Sequence, residues 1–203
     1  MSDLKALRHL KKDPVLARLI DQLRPVTPFS NSDIFVDLVD SIVSQQLSTK
    51  AAATIFARVE MLVGKITPEN ILKAADQDLR NCGLSWAKVS YFKDLADRTK
   101  SGALQLNELV NMDDESVVKH LTQVKGIGRW SAEMILMFSL NRSDVFPLQD
   151  LGIQNALAAQ YGLKKTHKSF PKKMAKTAEF WRPYRTLACR YLWKSLDNEP
   201  LKK

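Results

Sequence analysis

The sequence predicts an all-α protein, and three observations carry that prediction. Apolar residues recur at helical spacing along most of the chain, and no alternating strand pattern lasts. Capping residues, glycines and prolines punctuate the apolar stretches at intervals that suit about ten helices joined by short polar turns.

Taken in order, residues 13–24 read as a first helix. In SDIFVDLVDSIVSQQ the residues Ile34, Phe35, Leu38, Val39, Ile42 and Val43 form one apolar stripe, with Ser32 as a plausible N-cap and Asp33 in the first turn. Thr49 is placed to cap a second long helix, KAAATIFARVEMLVG, which ends at Gly64. Further helices are predicted over 68–75, 86–100, 113–121, 129–140, 149–161, 171–180 and 183–196.

Two segments break the pattern, RPVTPFSNS (Arg24 to Ser32) and NRSDVFPLQD (Asn141 to Asp150), where Pro147 precedes a new helix. They suit two helical lobes, one of residues 1–30 with 145–203 and one of residues 31–144, and a cleft beneath Pro147–Asp150. A single helical bundle with two ordinary turns fits the same punctuation.

Composition narrows the function classes. No apolar run reaches the roughly 18 residues of a membrane span, and the N-terminus MSDLKALRHLKKD is charged throughout, so secretion is not expected. The expected location is intracellular, in cytoplasm, nucleoid or nucleus. Two cysteines, Cys82 and Cys189, exclude a disulfide framework, a four-cysteine zinc site and a four-cysteine iron–sulfur cluster built from this chain alone. His9, His120 and His167 have no metal-ligand spacing and read as surface residues.

The net charge of +9 lies entirely in residues 164–203, which hold twelve Lys/Arg against Glu179, Asp197 and Glu199. Basic and aromatic residues interleave there, which favours a polyanion such as nucleic acid. A solvated helix face accounts for the charge equally well.

HLTQVKGIGRWSAEMIL reads as helix, tight turn, helix, with the hairpin over 113–140. Gly126 and Gly128 let backbone segments approach closely at positive φ, and Ile127 anchors the turn in the core. The N–H groups near Gly126, Gly128 and Trp130 then face outward at the positive end of a helix, with Lys125 and Arg129 adding charge: a site for phosphate. Taken alone, a Gly-x-Gly before a helix is also an ordinary αα-hairpin turn.

LTQVKGIGRWSAEMIL, followed 22 residues after Gly128 by Asp150 in VFPLQD, resembles the helix–hairpin–helix DNA glycosylase superfamily. The similarity extends to SIVSQQLSTKAAATIFARV, GLSWAKVSYFKDLA and WRPYRTLACRYLW, in the family's order, and is nearest the DNA-3-methyladenine glycosylase II branch. The chain resembles the shorter members, without a β-rich N-terminal domain. Lys125 stands where the family hairpin usually has proline.

The resemblance implies a two-lobed glycosylase fold with an interlobe cleft, and a function. Asp150 is the implied catalytic carboxylate, stabilising the sugar cation formed as the base departs. Read from its surroundings alone, Asp150 is an acidic residue in a helix's first turn; Asp144 reads as surface. Trp130 occupies the position at which backbone-cleaving members carry a Schiff-base lysine, so the implied enzyme is monofunctional. Trp130 and Trp193 match pocket-wall aromatics suited to a cationic alkylated base; Met134 and Leu151 stand where the family pocket has further aromatics.

Gln46 matches the residue that fills the gap left by a flipped base, with Leu47 beside it. The carbonyls of Thr122, Val124 and Ile127 are the implied holders of a structural Na⁺ or K⁺. No cofactor is required by this reading. The expected partner is duplex DNA containing alkylated bases, 3-methyladenine first and 7-methylguanine among others, bound by a monomer. The alternatives are a glycosylase for deaminated purines such as hypoxanthine and a non-enzymatic hairpin DNA-binding module. A helical protein–protein module finds no support in the localised charge or the hairpin.

Overall fold

The computed structural model describes residues 2–23, 25–26 and 33–197, and every described regular element is helical. The chain divides into two compact units, Met1–Phe29 with Asn141–Lys203, and Ser30–Leu140. The joins read from the sequence stand at 30/31 and 144/145.

The central unit begins with α3 (Ile34–Ser44), α1 (Ser2–Leu10) and α2 (Pro14–Gln22) belonging to the other unit. It continues through α4 (Thr49–Val63), α5 (Pro68–Lys73), α6 (Asp76–Asn81), α7 (Trp86–Lys100), α8 (Asp114–Leu121) and α9 (Arg129–Met134). A 3₁₀ turn covers Leu106–Asn111, and α9 widens into a π-helical turn at Ile135–Ser139. The predicted stripe on α3 is buried at Phe35, Leu38, Val39, Ile42 and Val43, as are Val59, Phe92, Leu95 and Leu121 elsewhere in this unit. The predicted 129–140 helix is therefore continuous in sequence but not in pitch. It stops at Asn141, whose left-handed φ of 53° is one asparagine tolerates.

The second unit joins α1 (Ser2–Leu10) and α2 (Pro14–Gln22) to α10 (Leu151–Tyr161), α11 (Phe170–Glu179) and α12 (Arg185–Asp197). Leu10, Leu16, Ile153, Leu157, Trp181 and Leu192 fill its core.

Several details differ from the sequence reading. The N-terminal segment forms α1, because Ala6 and Leu10 lie one turn apart and are buried despite the surrounding charge. The spacing predicts no helix at α6, because six residues with one buried leucine, Leu79, have no readable period. Asp33 caps α3 through the Phe35 N–H (2.9 Å), and Ser32 lies outside the described residues. Ser48, not Thr49, caps α4, accepting from the Ala51 N–H (3.3 Å), because Ser48 is the extended residue and Thr49 is already helical.

Candidate active site

In the central unit the hairpin follows from its glycines unequally. Gly126 has φ of 79°, and a Cβ there would stand 2.2 Å from the ring of Tyr91. Only glycine fits. Gly128 is extended (φ −95°), with nothing within 4 Å of an added Cβ. The expectation that both glycines serve positive φ is thus corrected: Gly126 makes the turn, and Gly128 begins α9 without a side-chain cap. Ile127 is buried as predicted and donates its N–H to the Val124 carbonyl (3.1 Å). The N–H groups of Gly126 and Gly128 meet no acceptor among the described residues.

One face of α7 braces this turn. Residues three apart on a helix share a face, and Lys88, Tyr91 and Asp94 use that spacing. Tyr91 fills the space beneath Gly126, while Asp94 Oδ2 accepts from the Lys125 N–H (2.9 Å). Lys88 Nζ donates to the carbonyls of Val43 (2.8 Å) and Gln45 (2.7 Å) at the end of α3. Burial pushes the Lys88 ammonium below its ordinary pKa. Gln45 Nε2 in turn donates to the Gly126 carbonyl (2.8 Å), tying the end of α3 to the hairpin.

This bracing surrounds Gln46, an exposed residue with φ of 59°, a left-handed backbone that costs a non-glycine residue about 1–2 kcal/mol. Leu47 beside it is also exposed, its N–H bonded to the Ser44 carbonyl (3.2 Å). A strained turn clamped on both flanks presents the two predicted wedge residues. Beyond a polar spacing of three on α7, nothing local in the sequence marks Lys88, Tyr91 and Gln45 as braces of the hairpin. Their partners are distant in the chain.

Arg129 is differently placed from its expected role. Its guanidinium pairs with the Glu115 carboxylate through both terminal nitrogens, and with Glu133 Oε1 (3.2 Å). Each partner of the Arg129–Glu115 pair is shifted toward its charged form by the other. Lys125 beside the hairpin is more exposed and more loosely paired, its ammonium 3.9 Å from Asp94. Trp130, in the first turn of α9, is 43% exposed, and Met134 follows one turn later, half-buried. The Thr122 and Ile127 carbonyls accept nothing from the described residues, and the Val124 carbonyl has one lone pair left beside its bond. These donors fit a monovalent cation. No His, Cys, Asp or Glu cluster among the described residues fits a multivalent metal.

In the second unit, α12 holds the segment that ends at Asp150. Arg185 Nε and Nη2 bind Asp144 (2.7 and 3.1 Å to its carboxylate), and Arg182 Nη1 joins them (2.6 Å). Asp144, expected at the surface, is a half-buried ion-pair centre, because the first residue of α12, Arg185, and Arg182 in the turn before it reach it from 41 and 38 residues away. The Thr186 hydroxyl donates to the Arg142 carbonyl (2.6 Å) and accepts from the Val145 N–H (3.0 Å). Seven residues on, two turns along the same face, lies Trp193.

Asp150 is 8% exposed and caps α10, its Oδ1 accepting from the Ile153 N–H (2.7 Å) and from Trp193 Nε1 (2.8 Å). Two N–H donors from different helices fix this carboxylate in one orientation. Gly152 permits it. A Cβ on Gly152 would stand 2.8 Å from Trp193 Cδ1, 2.9 Å from Nε1 and 3.0 Å from Asp150 Oδ1. Its φ is ordinary, so the glycine serves close approach alone. The sequence gives no sign of that requirement beyond a glycine two residues after the aspartate. Trp193, expected as a pocket wall, is also the hydrogen-bond partner of Asp150. Leu151 points its side chain largely to solvent, 64% exposed.

The family model described as HhH-GPD superfamily base excision DNA repair protein matches residues 39–183. DNA-3-methyladenine glycosylase 1 of Schizosaccharomyces pombe is 38% identical over 186 residues, which is 89% of this chain and 80% of the relative. The crystal structure of a DNA-3-methyladenine glycosidase from Bacillus halodurans superposes with a TM-score of 0.84 at 36% identity, covering 98% of this chain and 90% of that one. The S. pombe 3-methyladenine DNA glycosylase in complex with abasic DNA gives the same TM-score and identity, with 98% and 100% covered.

Proposed function

This chain belongs to the HhH-GPD superfamily of base excision DNA repair proteins, and we propose that it is a monofunctional DNA glycosylase that flips alkylated purines, 3-methyladenine first, out of duplex DNA and hydrolyses their N-glycosidic bond. The observation that carries this reading is the buried, doubly clamped carboxylate of Asp150 at the head of α10.

Breaking the C1′–N bond leaves an oxocarbenium-like sugar, and a carboxylate already fixed beside that carbon stabilises the charge without reorganising. The same group orients the attacking water. An alkylated purine that carries positive charge is a good leaving group and stacks favourably on an indole face, the part given to Trp130. Tryptophan has no amine to form a Schiff base, so the product is an abasic site on an intact strand. The hairpin N–H groups of Gly126 and Gly128 with Lys125 hold phosphate, and Gln46 with Leu47 fills the vacated stack. A monovalent cation on the Thr122, Val124 and Ile127 carbonyls would add positive charge at that phosphate.

The test is incubation with methylated duplex DNA and with a hypoxanthine-containing duplex, followed by chromatography of the released bases. Release of 3-methyladenine, with strand scission only after added alkali, is the expected result. Release of hypoxanthine alone would move the substrate to deaminated purines. Scission without alkali would overturn the role given to Trp130.

A further inference from the structure

The feature that this reaction leaves unused lies at the other end of α10 from Asp150. An open cavity of about 780 Å³ has an apolar lining that includes Pro14, Val15, Leu163 and Phe180. Tyr161, which closes α10 and also lines the cavity, is roughly 16 Å along the helix axis from Asp150.

The cavity floor is welded by one carboxylate. Asp13 accepts from the Val15 and Leu16 N–H groups (2.9 and 3.2 Å), the Tyr161 hydroxyl (2.9 Å) and the Trp181 indole N–H (3.0 Å). That joins the head of α2, the tail of α10 and the turn after α11. Phe180 stands beside this floor 72% exposed, yet its backbone is held: its N–H meets the Thr177 carbonyl (3.3 Å), and its own carbonyl meets His9 Nε2 (3.0 Å). A large aromatic side chain on an anchored backbone thus stands in solvent at the edge of an apolar hollow. Such residues anchor protein interfaces.

The rim is basic. Lys12, Lys173 and Lys176 line the cavity, and none of the three has a carboxylate partner among the described residues. Residues 164–176 contribute six lysines and no acid. A nucleic-acid backbone would answer the lysines but has no side chain to fill the hollow. An acidic peptide with an aromatic or aliphatic residue answers both.

We propose that this basic-rimmed apolar pocket docks an acidic segment of a partner protein, which seats an aromatic or aliphatic side chain between Phe180 and Val15. The site is separate from the reaction centre, so the partner binds while Asp150 remains accessible to the flipped base. The docking depends on charge as well as fit, and added salt weakens it.

The experiment is fluorescence anisotropy of the full chain with a short fluorescein-labelled peptide in which glutamates alternate with phenylalanine and leucine. Two control peptides replace either the glutamates by glutamine or the apolar residues by serine. Binding of the first peptide is expected to exceed that of each control at least tenfold. Phe180→Ser and the double variant Lys173→Glu/Lys176→Glu are each expected to weaken it about tenfold, a loss near 1.4 kcal/mol. All these side chains are exposed; thermal melts verify that the variants fold, and base release and duplex affinity of Phe180→Ser should stay within about twofold of wild type. Equal binding of the controls, or peptide affinity untouched by the variants, would overturn the proposal. Loss of duplex affinity in the lysine variant, with peptide binding unchanged, would make the rim a DNA surface instead.

Discussion

The heads of α9 and α10 begin alike, each after a turn that contains glycine or proline, and end up opposite in chemistry. At α9 the cap position is Gly128, which has no side chain to offer, and its N–H stays open. At α10 the cap is Asp150, whose carboxylate closes over the Ile153 N–H and is itself clamped by Trp193. An uncapped head presents positive potential to an anion, whereas a capped head holds a negative group rigid for a cation that exists only during reaction. Each is steadied by a face of another helix: α7, through Tyr91 and Asp94, for the first, and α12, through Thr186 and Trp193, for the second.

The glycines separate the two heads most sharply. Gly126→Ala forces a methyl into the Tyr91 ring at a left-handed φ, at an expected cost of about 2–4 kcal/mol in urea unfolding. Gly128→Ala, in open space, should change stability by no more than about 0.5 kcal/mol. Its methyl would nonetheless crowd the open N–H, weakening duplex binding about tenfold, the loss of one charge-assisted hydrogen bond of about 1.5 kcal/mol. If the two variants unfold at the same urea concentration, the division of labour within the hairpin is wrong.

On the α10 side, Gly152→Ala should displace the Trp193 indole from Asp150 and lower kcat about tenfold with little change in KM. Trp193→Phe, which removes the indole N–H, should do the same. Because both act through one hydrogen bond, the double variant should be little worse than either alone. Fully multiplying losses would show that Gly152 matters for some other contact.

The smallest effect belongs to the turn between α3 and α4. Gln46→Gly relieves the left-handed strain and is expected to raise stability by at most about 1 kcal/mol. Base release should slow several-fold, since glycine cannot fill the stack. A variant that is both more stable and equally fast would remove Gln46 from the wedge.

The parts of this picture legible in the sequence are those with a local signature. The stripe of α3, the stop at Gly64 and the helix–turn–helix around Ile127 follow from spacing and from residues that tolerate few conformations. Asp150 and Trp130 gain meaning only from the family resemblance, because an acidic N-cap and a tryptophan on a helix are commonplace. What the sequence hid depends on partners far away in the chain. Gly152 matters because an indole 41 residues later stands within 3 Å of where a Cβ would be, and Arg129 loses its free charge to Glu115, 14 residues before. The cap of α4 was one residue off for a simpler reason: Ser48 and Thr49 carry equivalent hydroxyls, and only the backbone angles decide between them.

The central claim is that the clamped carboxylate of Asp150 performs the reaction and does not merely cap a helix. Asparagine caps a helix as well as aspartate does, so Asp150→Asn separates the two roles. Single-turnover base release from a duplex carrying 3-methyladenine, measured beside duplex affinity and thermal stability, is the direct test. The account predicts a fall of at least about a hundredfold in release, on the scale of removing one preorganised electrostatic group, with affinity and stability nearly unchanged. Release at the wild-type rate from a folded, DNA-binding variant would contradict it.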